Sequence, residues 1–449
     1  MCIFWSLFTL TFLFSCVLTS QTTLNVTVNQ NPGCNLGDKC KIYNVMYINA
    51  RNTTSSVHIF ITASKRFTFP SVLIVHSSLS EAKPNIDWNK LDATSGERLS
   101  IDNVTQSYAL VFYKMLEYND LSDSVNMSAY KNDSDQILFH PLNEYNWEFN
   151  TLTTVNNLYE ITYNGSNSKM NPNGGQINLK FRISTTTERS EKMPHLLFLP
   201  GLIVQHDVVF NNLTSHFNQS RFSLQLVMIS SVALEKTEEF RRHTLFSIDD
   251  EVTPGNFETI NLLLNEPVSR MNTTMNSTTQ PTVKKPTHHQ RPLHHPAAFM
   301  QTKPLCFIDD ELRTVQNSRN IYVAKHQDNL MPEDISNLSN AFPSVFYADR
   351  LRPDSKLSSP HVGMRMLNIS FGSPMDGFYA NSKYIVWTAS FGLGDAPADS
   401  LSSLLIGLII FSTVIVLCSV IVGSVLTVVM RRRVRRQNNF RQFVNDPVA

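Results

Sequence analysis

The chain is poor in cysteine, with six among 449 residues. Cys2 and Cys16 lie in an apolar N-terminal stretch, and Cys418 lies in a second apolar run near the C-terminus. Small secreted domains that rely on a disulfide framework carry cysteine at a much higher density. The region between the two apolar segments must therefore be stabilised by a hydrophobic core, for which the chain is long enough.

Three cysteines remain in that region. Cys34 and Cys40 flank a short polar spacer that contains Gly37. Such a spacer can turn back on itself, so we predict a disulfide between these two cysteines. Cys306 is then left over, and the sequence leaves open whether it is a buried free thiol or pairs between two chains.

Motifs of catalysis and nucleotide binding are absent from the sequence. It contains no Gly-x-Ser-x-Gly elbow, no His-Glu-x-x-His pair and no glycine-rich phosphate loop. A lone Cys306 among scattered histidines does not make a thiol protease. These absences argue against the hydrolases and nucleotide-binding enzymes that such motifs identify.

Two short acidic clusters are candidates for acid–base chemistry or for calcium binding. They lack the spacing and the glycine of an EF-hand loop. We interpret them as structural turns that follow strands. The residues are Asp249, Asp250, Glu251, Asp309, Asp310 and Glu311.

Charge is absent from residues 401–430, and this run is strongly apolar. About 20 apolar helical residues cross a bilayer core, so we predict one transmembrane helix here. Five arginines follow within residues 431–436, and short arginine-rich segments stay on the cytosolic side. The pattern predicts a type I protein with residues 431–449 in the cytosol.

The N-terminal stretch, residues 1–20, is also apolar and uncharged. It is typical of a secretory signal peptide cut near Ser20. A first membrane helix is the alternative, but the run is short and polar residues follow at once.

Residues 21–400 are then the predicted lumenal region. The tail carries six arginines and one aspartate while the whole chain has a formal charge of +1, so the lumenal region is slightly acidic and gives no sign of nucleic-acid binding. It contains twelve Asn-x-Ser/Thr sequons, and we predict heavy N-glycosylation. Their asparagines are Asn25, Asn52, Asn103, Asn126, Asn132, Asn164, Asn212, Asn218, Asn272, Asn276, Asn337 and Asn368.

Period-two alternation of apolar and polar residues recurs through the lumenal region and predicts half-buried strands. It occurs at residues 24–28, 57–61, 176–183 and 367–371. In the first and last of these strands Asn25 and Asn368 fall on the polar face, where a glycan fits. Longer apolar runs, typical of strands buried on both faces, occur at residues 72–75, 108–113 and 384–387.

Helical candidates are few, and residues 332–338 are one short possibility. We therefore predict an all-β, sandwich-like ectodomain of one or two lobes.

Residues 272–304 interrupt this pattern because they are rich in Thr, Pro, Asn and His and have few large apolar residues. Such a segment cannot bury enough surface to fold, so we predict an exposed loop. Clustered histidines can bind a transition metal, but no cysteine or carboxylate accompanies them here, and we predict no metal. They are His288, His289, His294 and His295.

A resemblance to a known family rests on several short blocks. Ser247-Ile248-Asp249-Asp250-Glu251, followed by Pro254 and Phe257, resembles the Ser-Ile-Asp-Asp-Glu-Tyr-x-Pro-x-x-Phe stretch of glycosylated lysosomal membrane proteins. The other blocks that resemble the family, in the same order, are residues 57–58 with 72–75, residues 108–112 with Leu116-Glu117-Tyr118, Asn173-Gly174-Gly175 with Phe181-Arg182, residues 367–372, and Trp387.

Three features depart from the family pattern. Gly175 replaces the serine of one family sequon, and Met366 stands near the position of an expected cysteine. The tail also lacks the tyrosine of a Tyr-x-x-apolar sorting signal, for which Phe440-Arg441-Gln442-Phe443 is a poor substitute.

The resemblance implies a glycosylated type I protein of the lysosomal membrane. Members act as non-catalytic, cofactor-free accessory subunits of a polytopic lysosomal transporter of the major facilitator superfamily that exports dipeptides. The ectodomain would cover the transporter's lumenal side and shield it from lysosomal proteases.

Two other functions are compatible with the residues. A cell-surface adhesion or receptor glycoprotein shares the sandwich, the glycans and the single helix, and the missing tyrosine signal favours it. A lysosomal hydrolase would need a carboxylate pair or an activated nucleophile in a pocket. Subcellular location separates the first from the lysosomal protein, and substrate turnover separates the second.

The predicted topology can be tested by protease protection. In cells whose plasma membrane has been selectively opened, a tag placed after Ala449 should be digested, because the arginine block keeps the tail in the cytosol. Glycosidase treatment should remove many glycans and reduce the apparent mass. Protection of the tag would contradict the type I orientation.

Overall fold

The computed structural model describes residues 24–93, 96–127, 134–231, 241–246, 256–263, 296–323, 332–351, 362–394, 396–397 and 403–445. Residues 22–398 belong to one compact unit, so the described part of the predicted ectodomain has one lobe rather than two. The C-terminal helix belongs to a separate unit.

Strands dominate this first unit and confirm the predicted all-β class. In chain order they are β1 (Asn25–Gln30), β2 (Val45–Arg51), β3 (Ser56–Thr62), β4 (Ser71–Ser77), β5 (Asn85–Ile86), β6 (Leu99–Ser100), β7 (Val104–Asn119), β8 (Ile137–Pro141), β9 (Asn146–Val155), β10 (Leu158–Ser166), β11 (Gln176–Ser184), β12 (Glu188–Arg189), β13 (Leu197–Phe198), β14 (Ile203–Asn211), β15 (Ser220–Ser230), β16 (Arg241–Phe246), β17 (Asn256–Leu263), β18 (Pro296–Thr302), β19 (Leu305–Phe307), β20 (Ser318–Val323), β21 (Gly363–Phe371) and β22 (Tyr384–Leu393).

Helices in the described part are short, apart from the last. They are α1 (Cys40–Tyr43), α2 (Pro332–Asn337), α3 (Pro343–Tyr347), α4 (Phe378–Ser382) and α5 (Ser403–Asn445). Single 3₁₀ turns occur at Gly37–Lys39, Trp88–Lys90, Ser134–Gln136, Leu142–Glu144, Leu338–Asn340 and Ala348–Leu351. The short helix predicted at residues 332–338 is confirmed by α2.

Most strands form two antiparallel sheets, and β5–β6 and β12–β13 form separate two-stranded antiparallel pairs. The first sheet has the order β1-β2-β3-β4-β7-β15-β21-β20, and β8 pairs with the part of β7 that extends beyond β4. The second sheet has the order β9-β10-β11-β14-β22, and the far edge of β22 pairs with β18 and β19. Because β20 also pairs with β19, the two sheets are joined at this edge.

The sheets pack face to face through aromatic rings, as in a β-sandwich. Ring centroids of Phe112 in β7 and Phe181 in β11 are 5.9 Å apart. Phe371 in β21 lies 6.1 Å from Trp387 in β22. Strands form at all four stretches predicted from alternation, and their apolar side chains contribute to this core. The predicted half-burial is wrong for β3 and for residues 366–371 of β21, which are buried on both faces.

A β-bulge in β7 determines which residues face the core. Leu226 pairs with Phe112 and Gln225 pairs with Lys114, so Tyr113 has no partner in β15. One extra residue reverses the side to which the following side chains point. Glu117 therefore shares the inner face with Phe112, although the two are five positions apart and would point to opposite faces of a regular strand.

Two predicted boundaries need correction. The exposed loop was expected to extend to residue 304, but Pro296–Thr302 form β18, in which Ala298, Phe299 and Met300 are buried. This short apolar run pairs with β22 and therefore ends the polar segment earlier.

The apolar helix predicted at residues 401–430 is confirmed as α5, but α5 continues through the arginines to Asn445. Ile406–Asn438 is long and apolar enough to cross a membrane. No glycine or proline occurs between Ser424 and Asn445, and arginine and glutamine are good helix formers, so the helix does not stop at the end of the apolar run.

Asp207 is the centre of a buried ion-pair network on the outer face of the second sheet. Its Oδ2 accepts hydrogen bonds from Arg313 Nη2 at 2.6 Å and from Arg182 Nη2 at 2.9 Å, and its Oδ1 accepts one from Thr388 at 2.7 Å. Burial alone would raise the pKa of Asp207, but the charges of Arg182 and Arg313 outweigh it and hold the pKa well below its usual range. The carboxylate therefore stays charged at acidic pH.

We predict that Asp207→Asn lowers the free energy of unfolding by about 3–5 kcal/mol, because it removes the fully buried anion that Arg182 and Arg313 share and leaves them only the less buried Glu160 and Asp310. Denaturant unfolding of the purified full-length protein in detergent, followed by tryptophan fluorescence, measures this loss. Asp38→Asn is the matched control, since Asp38 pairs with Lys41 on the surface, and it should cause no measurable loss. Equal effects of the two substitutions would contradict the structural role of the network.

His206 lies between the sheets among aromatic rings. Its ring centroid is 5.3 Å from Phe112, 5.4 Å from Trp387 and 5.7 Å from Phe391. The side chain is fully buried, and among the described residues neither ring nitrogen has a hydrogen-bond partner. Burial lowers the pKa of His206 to about 3, so the ring is neutral in the folded protein.

This burial predicts a pH dependence of stability. The unfolded chain protonates His206 near pH 6.5 but the folded chain does not, so the contribution is complete above pH 6.5 and is lost as the pH falls toward 3. Between pH 7 and pH 5 this one group should lower the free energy of unfolding by roughly 2 kcal/mol.

Denaturant unfolding at the two pH values measures the loss. In His206→Leu the difference between pH 7 and pH 5 should shrink by that amount, whatever the variant's absolute stability. His195→Asn, at a partly exposed histidine, should leave the difference unchanged. An unaltered difference in His206→Leu would be evidence against a neutral buried ring.

Candidate functional site

The described acidic cluster predicted from the sequence forms a structural turn. Asp309 Oδ1 accepts the backbone N–H of Glu311 at 2.8 Å. Asp310 forms ion pairs with Lys180 at 2.7 Å and with Arg313 at 2.6 Å, and so joins the Asp207 network. The Asp310 carboxylate is therefore occupied by its ion pairs with Lys180 and Arg313. The other acidic cluster and the histidines of the polar loop lie outside the described residues: Asp249, Asp250, Glu251, His288, His289, His294 and His295.

The cysteine predictions are resolved within the β-sheet unit. Cys34 and Cys40 form the expected disulfide, with their Cα atoms 6.1 Å apart. Cys306 in β19 is a buried free thiol, and burial raises its pKa to about 12. Of the two possibilities for Cys306, the structure has the buried thiol, since a fully buried sulfur is out of reach of a second chain.

Nine of the twelve sequon asparagines lie in the described residues. Asn25, Asn103, Asn126, Asn212 and Asn218 are exposed, and Asn52, Asn164 and Asn337 are half-buried. Asn132, Asn272 and Asn276 lie outside the described part of the chain. Glycan attachment at the twelve sites stays a prediction.

The placement of Asn368 on a solvent-exposed face is wrong. Its side chain is 3% exposed, and its Oδ1 accepts a hydrogen bond of 3.0 Å from Gln225 Nε2. Alternation within β21 identifies two faces but does not show that both are covered, as they are at this position.

Three side chains that sequence reasoning did not single out meet at one end of the sandwich. Glu117 lies near the end of β7, and His140 lies in the neighbouring strand β8, where it pairs with Met115. His216 comes from the turn between β14 and β15. The bulge in β7 turns Glu117 toward the inner face, where it meets the two histidines.

The distances within this Glu117–His140–His216 cluster are short. His216 Nδ1 lies 2.7 Å from Glu117 Oε2, and His140 Nε2 lies 3.3 Å from the same oxygen. The ligand atoms of all three residues lie within 4.8 Å of one another. The two imidazole rings are 5.7 Å apart between centroids and tilted by 33°.

The other carboxylate oxygen of Glu117 is held in place by two donors. Oε1 accepts the backbone N–H of His216 at 2.6 Å and a short hydrogen bond from the Ser220 hydroxyl. These contacts direct Oε2 toward the imidazole rings. The arrangement fixes the carboxylate while leaving one oxygen for the histidines.

Burial and charge make the cluster unusual. The side chains of Glu117 and His140 are 0% and 3% exposed, whereas His216 is 34% exposed. Among the described residues no lysine or arginine forms an ion pair with Glu117. Burial alone would raise the pKa of Glu117, but the close approach of His140 and hydrogen bonds from Ser220 and His216 lower it. Glu117 is therefore a buried anion whose neighbours are imidazoles.

Sequence spacing could not have identified this cluster. Glu117 and His140 are 23 residues apart and His216 follows much later, so no local motif links them. The one usable signal is Glu117 itself, a charged residue at the end of the long apolar run of β7.

Known proteins of one family match most of the chain. A family model described as "Glycosylated lysosomal membrane protein" matches residues 44–435. Glycosylated lysosomal membrane protein B of Xenopus laevis is 26% identical over 422 residues, which cover 91% of this chain and 91% of the relative. The Danio rerio protein of that family name is 26% identical over 371 residues, with 81% of this chain and 79% of the relative covered. The Bos taurus protein is 24% identical over 380 residues, with the same coverage.

Proposed function

Because the chain belongs to the glycosylated lysosomal membrane protein family, we propose that it is a non-catalytic accessory subunit of a polytopic lysosomal transporter. The transporter class is the major facilitator superfamily, with dipeptides as cargo, as the family resemblance implies. In this proposal the sandwich faces the lumen, the arginine-rich end of α5 faces the cytosol, and the subunit shields its partner from lysosomal proteases.

The observation that carries the proposal is the combination of one closely packed β unit with one apolar helix. Within the described residues, the side chains of the first and second sheets bury a continuous core. Proteases cleave chain that is locally unfolded, so a well-packed unit resists them. A single helix beside a transporter holds such a unit near the partner at a high effective concentration, and a weak lumenal contact then suffices.

Helix α5 has a face suited to packing against another helix in a membrane. At about 100° per residue, Ser412, Ser419 and Gly423 fall within roughly 40° of one another, and Ser419 and Gly423 form a small-xxx-small pair. The hydroxyls of Ser412 and Ser419 donate to carbonyls of their own helix, so the face exposes no unsatisfied donor to lipid. Gly407 lies about 160° away from Gly423.

This geometry provides a matched pair of variants. Gly423→Leu should reduce co-purification of the transporter in mild detergent several-fold, because a large side chain separates the two helices. Gly407→Leu adds the same side chain on the opposite face and should not. Both glycines have open space around them within this chain, so neither substitution disrupts α5 itself. Equal retention of the partner by both variants would argue against packing through the Ser412–Ser419–Gly423 face.

The shielding role predicts a change in protein lifetime. Loss of this protein should shorten the lifetime of a lysosomal transporter without altering its synthesis, and inhibitors of lysosomal proteases should restore the transporter. Pulse-chase labelling in knock-out and rescued cells measures both quantities. Normal levels of every lysosomal transporter in the knock-out would refute shielding. Predominant labelling of the protein by a membrane-impermeant reagent on living cells would instead favour the cell-surface receptor function.

A further inference from the structure

We propose that Glu117, His140 and His216 form a binding site for a divalent transition metal ion of the Zn²⁺ class. The site is independent of the accessory role, which needs no metal. The proposal rests on the donor set, on the geometry of the three ligand atoms and on the unsatisfied state of His140.

The donor set is one that zinc uses in proteins. Two imidazole nitrogens and one carboxylate oxygen make a three-residue site with a fourth position left for water. Imidazole nitrogen also disfavours calcium and magnesium, which take oxygen ligands. The chemistry therefore selects a transition metal ion.

The three ligand atoms lie within 4.8 Å of one another, so each pair must change its separation by at most about 1.5 Å to accept the ion. Ligand atoms of a tetrahedral zinc site lie roughly 3.3 Å apart, given metal–ligand distances of about 2.0–2.2 Å. His140 Nε2 and Glu117 Oε2 already have a separation of 3.3 Å. His216 Nδ1, now 2.7 Å from Oε2, would exchange its hydrogen bond for a metal bond by moving outward about half an ångström. His216 is the most exposed of the three, so it has room to do so.

His140 is the observation that separates a ligand site from an ordinary hydrogen-bonded cluster. Its side chain is buried, and neither ring nitrogen makes a hydrogen bond of good geometry with any described residue. Buried polar atoms in folded proteins nearly always have a partner. Nε2 lies 3.3 Å from the carboxylate oxygen without a well-directed hydrogen bond to it, so this nitrogen is available to bind a metal ion.

The surroundings also resemble the support that metal ligands receive. Ser220 and the backbone N–H of His216 hold Glu117 Oε1, and such outer contacts orient a ligating carboxylate. A divalent cation would also balance the charge of Glu117, which has no lysine or arginine counter-ion among the described residues. The partly exposed side of His216 gives the ion a route from solvent.

The test measures Zn²⁺ binding to the purified full-length protein in detergent. His288, His289, His294 and His295 are replaced by serine in every sample, so that the polar loop contributes no binding. Equilibrium dialysis followed by metal quantification should find one Zn²⁺ per chain. Co²⁺ as a spectroscopic probe should give the visible absorption of a low-symmetry site with nitrogen ligands.

The variants then assign the ligands. His216→Ala should weaken Zn²⁺ binding roughly 100-fold or more, since losing a ligand costs at least as much as losing an outer-shell partner, about 10- to 100-fold. Glu117→Gln should weaken Zn²⁺ binding to the same extent, provided that this variant folds. If it does not fold, His216→Ala still tests the site, because His216 is the most exposed of the three residues. His195→Asn is the control and should bind as the parent does.

Absence of bound Zn²⁺ in the parent would overturn the proposal and leave a structural His–Glu–His cluster. Equal binding by the His216→Ala and His195→Asn variants would also overturn it, because the metal would then lie elsewhere. Loss of the Co²⁺ absorption in His216→Ala, with an unchanged circular dichroism spectrum, would support it.

Discussion

The pairing of β7 with β15 is the contact on which the rest of the β-sheet unit depends. It joins segments that are far apart in the chain. Just beyond its last residue pair, the backbone N–H of Ser107 donates a hydrogen bond to the side-chain oxygen of Ser231, 124 residues away. Closing such a long loop costs conformational entropy, and the burial of apolar surface in the completed sheet offsets this cost. With β7 and β15 in register, β4 and β8 add at one edge and β21 at the other.

The bulge within this pairing connects fold and site. It keeps Phe112 in the interface between the sheets and also brings Glu117 to the inner face. Ser220, the first residue of β15, then lies beside Glu117, and the turn before β15 supplies His216. One irregularity in one strand pair therefore determines the position of the cluster.

Two of the buried carboxylates, Asp207 and Glu117, have different kinds of partner. Asp207 is paired with two guanidinium groups, which stay charged at any physiological pH. Glu117 is paired with imidazoles, which bind metals when neutral. The first arrangement is suited to permanent stabilisation. The second leaves Glu117 without a lysine or arginine partner among the described residues, so that a metal ion can balance its charge.

The pattern of neighbouring residues was enough to predict several strands, the disulfide and the apolar helix. Period-two alternation placed β1, β3, β11 and β21, the polar spacer identified the Cys34–Cys40 disulfide, and the uncharged run identified α5, because each property belongs to neighbouring residues. Tertiary structure decided what depends on partners distant in sequence: the burial of Asn368, the strand at Pro296–Thr302, the arginines around Asp207 and the Glu117–His140–His216 cluster. These features exist only after strands far apart have paired, since burial and proximity are properties of the assembled sheets and not of any stretch of chain.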